Sequence, residues 1–319
     1  MTPRVTLLAG GVGGAKLAEG LAAVCAPERL SIIGNVADDH EFHGLWVSPD
    51  IDTLTYSLAN LIDRQQGWGL ADESHRVLKG LERLGCDTWM SLGDQDMATH
   101  IFRTQLRHQG IRPSTIAQSI ADSLGVKVNM LLPTDDRLQT LVKTEQGWLA
   151  FQEYFVRERC QPEVREIRFE GADEARPTFE ALEAIEQADV LLIAPSNPVV
   201  SIAPILAVPE IRRAVENSRA TRIAVSPLIG GHTVKGPADR MLTAMGYRCS
   251  NAGVADSYAG LIDGLVIDEQ DRADRAALEA DGLQVLTTAT LMTSAEEKTR
   301  LAQETLAFAG VCRREEVAS

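Results

Sequence analysis

The sequence predicts an α/β fold: a mainly parallel sheet flanked by helices, with a helical insertion and a small antiparallel hairpin region. Three observations predict it. Short apolar runs near both ends of the chain each lead into a turn and then a helix-spaced segment. A long stretch of helical spacing lies between them. Two alternating segments then flank a Glu145-Gln146-Gly147 turn.

Val5 to Ala9 has the length and composition of a buried parallel strand. It runs into Gly10-Gly11-Val12-Gly13-Gly14-Ala15-Lys16. Ala15 to Cys25 then carries Leu17, Leu21 and Val24 on one helix face. Strand, glycine turn and helix together make an anion site. Glycine lets the backbone approach a phosphate, and a helix start offers unpaired N–H groups and partial positive charge. Lys16 adds a full charge in the expected first turn. A Walker A loop would need glycine at Ala15 and Ser or Thr at Leu17. A dinucleotide fingerprint read from Gly11 would need glycine at Lys16, which argues against an NAD-dependent oxidoreductase. The loop therefore predicts a phosphate or pyrophosphate ligand; a tight turn packing helix on strand is the simpler alternative.

Leu30 to Gly34 reads as the second strand, ending in Asn35-Val36-Ala37-Asp38-Asp39-His40. Acidic residues here sit where open parallel sheets bind ligands. Asp38 and Asp39 suit ribose, a metal or a second substrate, or else form an ordinary Asx turn. Ser48-Pro49-Asp50-Ile51-Asp52-Thr53 follows, with Ser48 or Asp50 capping a helix expected from about Asp52 to Arg64. Two carboxylates at a helix mouth exceed what a cap needs. In a phosphoryl-transfer site they would hold a divalent cation or orient a hydroxyl nucleophile. His40-Glu41-Phe42-His43 lacks the spacing of a zinc protease motif and is not read as a zinc site.

Residues 52–135 read as a mostly helical insertion or cap, with helices at Ser74 to Leu84, Met97 to Gln109 and Pro113 to Leu124. Gly93-Asp94-Gln95-Asp96-Met97-Ala98-Thr99-His100, with Arg103 beyond, is either an acceptor-binding wall or a capping turn. Leu138 to Lys143 and Trp148 to Val156 alternate like antiparallel strands, and Val164 to Phe169 adds a third. The α/β pattern then resumes. Phe179 to Ile185 is helical, and the strand Asp189 to Ala194 breaks into Pro195-Ser196-Asn197-Pro198. Ile223 to Ser226 leads to a loop with Gly230, Gly231 and Lys235, a second phosphate-like cradle. Leu265 to Asp268 and Leu283 to Leu286 are late strands around an Asp271 to Ala280 helix. Thr293 caps the last helix, Ala295 to Ala309. No Pro-, Gly- or Ser-rich linker divides the chain, so 1–319 reads as a single domain.

The composition narrows the function. At a formal net charge of −14 the chain has no basic surplus for nonspecific nucleic-acid binding. Five cysteines without C-x-x-C spacing fit reduced thiols in the cytoplasm. No signal peptide and no apolar run of membrane-spanning length is seen.

The ordered set of motifs resembles the 2-phospho-L-lactate transferase family of coenzyme F-420 biosynthesis. The set runs from Gly10-Gly11-Val12-Gly13-Gly14-Ala15-Lys16 through Asn35-Val36-Ala37-Asp38-Asp39, Ser48-Pro49-Asp50-Ile51-Asp52-Thr53 and the 93–100 segment. Pro195-Ser196-Asn197-Pro198, Ser226-Pro227-Leu228 and Val234-Lys235-Gly236-Pro237 complete it. The resemblance implies a Rossmann-like transferase that uses Mg2+ and is often a homodimer. Its substrates would be the deazaflavin Fo and a guanosine diphosphate diester carrying a lactyl, enolpyruvyl or glyceryl phosphate. The terminal ribityl hydroxyl of Fo would attack and GMP would leave. Carried over, Asp50 and Asp52 are the catalytic and metal-binding residues. Gly10, Gly11, Gly13, Gly14, Lys16, Ser196, Asn197 and Pro198 fall near the guanosine diphosphate part. Asn35, Asp38, Thr53 and Lys235 complete the expected ligand contacts. Gln95 stands where the family usually has arginine toward Fo. The rival reading is a non-catalytic nucleotide-sugar or dinucleotide-binding regulator, which would keep the glycine loop but not need the acidic helix mouth.

Overall fold

The structure, a computed structural model, describes residues 2–234 and 238–318, and side chains as far as residue 312; Lys235 lies outside the described residues. Its centre is a seven-stranded parallel sheet. The strands are β1 (Val5–Ala9), β2 (Leu30–Gly34), β3 (Asn129–Leu131), β4 (Val190–Ile193), β5 (Thr221–Val225), β6 (Gly264–Asp268) and β7 (Gln284–Thr288). Their spatial order is β3-β2-β1-β4-β5-β6-β7, with every pair parallel. This is the doubly wound Rossmann order extended by one strand, and it reverses direction between β1 and β4. Val5 sits between Leu30 on one side and Val190 on the other.

Alternation along the strands separates two cores, one per sheet face. Leu8, Ile33, Leu191 and Ile193 belong to one. Leu7, Ile32 and Leu192 belong to the other, with Leu17 and Leu21 of helix α1 (Gly11–Val24) and Leu301 of the C-terminal helix Ala295–Ala318. These two helices cross closely. A Cβ on Gly20 would stand 2.2 Å from the Lys298 carbonyl oxygen. Gly20→Ala is therefore expected to lose about 1–3 kcal/mol to overpacking, set against about 1 kcal/mol of helix propensity gained. The midpoint of urea unfolding measures the difference. No loss of stability would mean the helices part without cost.

Helix α1 begins four residues earlier than periodicity suggested, with Gly10 at the cap position. Lys16 therefore lies in the second turn, not the first. Helix α2 spans Pro49–Leu58 instead of about Asp52 to Arg64: proline is preorganised for a first helical position, and Asn60, at φ 59°, takes the chain out of the helix. Ser48 precedes it but makes no side-chain cap; its hydroxyl donates to Asp39 at 2.8 Å. Asp50 is inside the first turn.

Helices α3 (Arg76–Arg83), α4 (Asp94–His108) and α5 (Pro113–Ser123) all lie between β2 and β3 in the chain. His40–Phe42 pairs with Leu45–Val47 in a hairpin turned by His43 and Gly44, at φ 53° and 73°. The His40 ring packs edge-on to Trp89. Gln139–Thr144 is the centre of an antiparallel three-stranded sheet with Gly147–Ala150 and Glu166–Glu170. The expected strand to Val156 stops at Ala150. Phe151 stacks on Phe155, its neighbour at helical spacing, and the chain coils there instead.

Gly230 and Gly231, read as a cradle, are the turn of a two-residue hairpin joining Leu228–Ile229 to His232–Thr233. Their φ values of 60° and 75° suit that turn. The last helix is capped by Ser294, not Thr293. The Ser294 hydroxyl accepts from Glu297 N while Glu297 accepts from Ser294 N, a reciprocal capping box. Among the described residues, no helix is long and apolar enough to cross a membrane.

Candidate active site

A cleft of about 720 Å³ opens at the β1/β4 reversal, beyond the carboxyl ends of the strands. Open α/β sheets bind ligands at this point. Gly10, Gly11, Val12, Gly13 and Lys16 line it after β1, and Pro195, Ser196 and Asn197 line it after β4. Asp38, Asp50, Asp52, Thr53 and Tyr56 face it from β2 and α2. Asp96 and His100 of α4 add to that wall, and Trp68, Met90, Leu92, Phe151 and Phe155 make an apolar side.

The two loops are bound to each other. Ser196 Oγ donates to the Gly10 carbonyl at 2.6 Å and accepts from Gly10 N at 3.2 Å. A Cβ on Gly13 would stand 2.1 Å from the Pro195 carbonyl oxygen, and one on Gly14 would stand 2.7 Å from Ser196 Oγ. Part of the glycine run therefore serves the approach of one loop to the other. Gly14 supports the loop without lining the cleft. Asn197 caps the following helical turn, accepting from Val199 N at 3.0 Å, and Pro198 opens that turn, buried.

Asp50 reaches across to α1. Its Oδ1 accepts from Gly11 N at 2.9 Å, taking one of the amides at the helix start. Its Oδ2 accepts from Asn35 Nδ2, also at 2.9 Å. Asn35 is itself fixed by Ala37 N and the Val200 carbonyl, so it acts from behind the cleft. Asp52 lines a different part of the cleft. Two residues apart on a helix project roughly 200° apart, and Asp52 turns to α4. There Arg103 holds it with both guanidinium nitrogens. Asp52, Asp96 and His100 also bring their ligand-type atoms within 4.8 Å of one another. Gln95 is exposed and does not line the cleft; its backbone N–H donates to Glu73.

Sequence reasoning passed over Tyr56 and the apolar side. Tyr56 follows Asp52 by one helical turn, a spacing that places it on the same face. Trp68 lies in a segment without periodicity, and Phe155 lies in one whose alternation read as a strand.

Burial dominates the electrostatics. It pushes Asp50 up to about 6 in spite of its donors Asn35 and Gly11. It pushes Asp39 up to about 7, against Trp46, Arg103 and Ser48. Asp38 is raised well above the usual range by burial and then by the Asp50 charge. Groups raised in the folded state contribute stability below their unfolded pKa, near 4, and lose it as pH rises through the folded value. The metal-free protein is thus expected to lose melting temperature between about pH 4 and 7. Asp39→Asn keeps an acceptor for Trp46 Nε1 and Ser48 Oγ and should melt higher than the wild type at pH 8. Calorimetric scans across pH measure both, and equal melting at pH 8 would contradict the second.

The fold and cleft define the class: a doubly wound α/β protein with a crevice lined by a glycine loop and carboxylates at its switch point. A family profile described as 2-phospho-L-lactate transferase CofD matches residues 5–302. The chain belongs to that family, and is a transferase enzyme of coenzyme F-420 biosynthesis. It is 42% identical over 313 residues to a phosphoenolpyruvate transferase of Kitasatospora aureofaciens, covering 96% of this chain and 98% of that one. It is 40% identical over 310 residues to a 2-phospho-L-lactate transferase of Methanopyrus kandleri, covering 96% and 97%. A UPF0052-family crystal structure from Bacillus halodurans shares the fold at TM-score 0.63 and 16% identity, covering 96% of this chain and 99% of that one. Membership in an enzyme family sets aside the non-catalytic regulator.

Proposed function

We propose that this chain transfers a phospho-acid group from a guanosine diphosphate diester to the terminal ribityl hydroxyl of Fo. The hydroxyl oxygen bonds to the distal phosphorus, the bond from that phosphorus to the bridging oxygen breaks, and GMP leaves. The product is an F-420-0 type phosphodiester. One observation carries the reading: glycine-loop amides and two separately anchored carboxylates line a single cleft, and Asp50 is bonded directly to Gly11 N.

Transfer between phosphate esters needs charge neutralisation and an in-line hydroxyl more than covalent help. The α1 start and Lys16 receive the guanosine diphosphate anion. The apolar side formed by Trp68, Met90 and Phe155 suits the planar deazaflavin. Asp52, held on that side of the cleft, orients the attacking hydroxyl and accepts its proton.

The donor set fits Mg2+. Asp38 Oδ1 is buried without a hydrogen-bond partner, and Asp38 and Asp50 offer hard oxygen ligands to one cleft. Asp52, expected to share the ion, already carries a guanidinium, so Asp50 with Asp38 are the better ligands. Bound there, Mg2+ would neutralise phosphate oxygens of the donor. None of the five cysteines forms a disulfide, which supports our reading of a cytoplasmic protein. The homodimer rests on the resemblance, and analytical sedimentation measures it.

Relatives with both printed names stand at similar identity, so the three-carbon acid is left to experiment. Fo, Mg2+ and the lactyl, enolpyruvyl and glyceryl donors in competition should give GMP and one preferred extended deazaflavin by mass spectrometry. Neither product with any donor would end the proposal.

A further inference from the structure

Behind the acceptor side of the cleft lies a buried chain of polar groups that runs from α2 to α4 and back. Tyr56 Oη donates to Asp96 Oδ1 at 2.6 Å. Asp96 Oδ2 is 3.3 Å from His100 Nε2. His100 Nδ1 is 3.1 Å from an Arg103 guanidinium nitrogen, and that guanidinium grips both oxygens of Asp52. Arg103 is fixed further by the Trp46 carbonyl at 3.3 Å. His100 is 1% exposed and Arg103 is 5% exposed, so neither can swing away into water.

The same atoms could be read as a cation site, because Asp52, Asp96 and His100 cluster closely. The hydrogen-bond directions argue otherwise. A guanidinium only donates, so His100 Nδ1 accepts from Arg103 and the ring proton sits on Nε2, 3.3 Å from Asp96 Oδ2 without completing a hydrogen bond to it. That nitrogen has no lone pair left for a metal. The cluster already holds its cation in Arg103, whose charge is favoured by Asp52 against the cost of burial. Burial alone would raise Asp96, but His100, Tyr56 and Arg103 hold it below the ordinary carboxylate range.

We infer that Arg103 is a positioning residue. It acts through Asp52, with Tyr56, Asp96 and His100 fixing the plane of its guanidinium so that the Asp52 carboxylate is presented to the attacking hydroxyl. Rotation of that plane would turn the carboxylate with it, since a two-point grip transmits orientation as a single contact cannot. The chain thereby builds its own arginine on the acceptor side, eight residues beyond Gln95. This rests on the transferase reading for the role of Asp52, while the grip itself is independent of it.

The test has two parts. In the transfer assay, Arg103→Met should lower kcat about 100-fold or more, with KM for the donor within threefold. Arg103→Lys keeps the charge but loses the fork, and should recover less than a tenth of wild-type kcat. Millimolar guanidinium should raise the turnover of Arg103→Ala several-fold without raising that of Asp52→Asn. Full recovery by lysine, or a loss confined to KM, would overturn the positioning role. In thermal melts, Arg103→Met leaves a buried carboxylate unpaired, so the double variant with Asp52→Asn should melt above Arg103→Met alone. Additive losses would show that the two side chains are not coupled. Calorimetric titration with Mn2+ alone should give the same affinity for wild type and His100→Gln; loss of binding in the variant would establish the metal site instead. Absence of turnover by the wild type would end the transferase reading, while the melts still decide whether Arg103 holds Asp52.

Discussion

Asp50→Asn is expected to lower kcat by about a thousandfold with little loss of fold. The native carboxylate accepts two hydrogen bonds, from Gly11 N and Asn35 Nδ2, one on each oxygen. Asparagine offers one acceptor and one donor, so whichever way it turns, one N–H must face another. It also removes the negative charge that we propose as a Mg2+ ligand. Loss of one preorganised charge or hydrogen bond at a reacting centre costs about 10²–10³ in rate, and here two functions go together. Steady-state rates at saturating Fo and donor measure the effect. A variant within tenfold of wild type would remove Asp50 from the reaction. The melting temperature should hold or rise, because the charge that is lost is one that burial disfavours.

Gly13→Ala is expected to weaken the grip on the donor while sparing the acceptor. Its Cβ would overlap the Pro195 carbonyl oxygen, which is backbone and has no rotamer to escape into. The loops after β1 and β4 must then separate, and the bonds between Ser196 and Gly10 stretch with them. Overpacking of this kind costs about 1–3 kcal/mol, or about 5- to 150-fold if it falls on donor affinity. Calorimetric titration with GDP and, separately, with Fo would show it. Equal weakening of both ligands would mean that the strain spreads through the whole cleft.

Most of the sheet was legible because burial on both faces leaves continuous apolar runs of strand length, such as Val190–Ile193; β3, only three residues long, was read into the helical insertion and missed. The glycine loop and the acidic helix mouth were legible too, and the structure places both on one cleft. What the sequence concealed was direction. Asp50 and Asp52 look like a pair in one dimension, yet helix geometry sends one to Gly11 and the other to Arg103. The pairing of Arg103 with Asp52 spans 51 residues, and no local pattern announces such a contact. The Gly230-Gly231 loop shows the converse error. Glycine before a helix suggested an anion cradle, but positive φ in a hairpin turn uses the same residue for a different reason. The apolar side of the cleft escaped notice because Trp68, Met90 and the pair of Phe151 and Phe155 come from separate segments, and the alternation around Phe155 suggested a strand where the chain coils.

The position of the insertion has an evolutionary consequence. Helices α3, α4 and α5 and the segments joining them form one unbroken stretch between β2 and β3. The backbone that we propose meets the nucleotide comes instead from the turns after β1 and β4, which line the cleft. A lineage could exchange the first as a cassette and leave the second untouched. Transplanting residues 59–124, which bring Trp68 and Met90 with these helices, should therefore carry part of the selectivity for the ring-bearing substrate, Phe155 keeping the rest, and leave selectivity for the guanylyl group where it was.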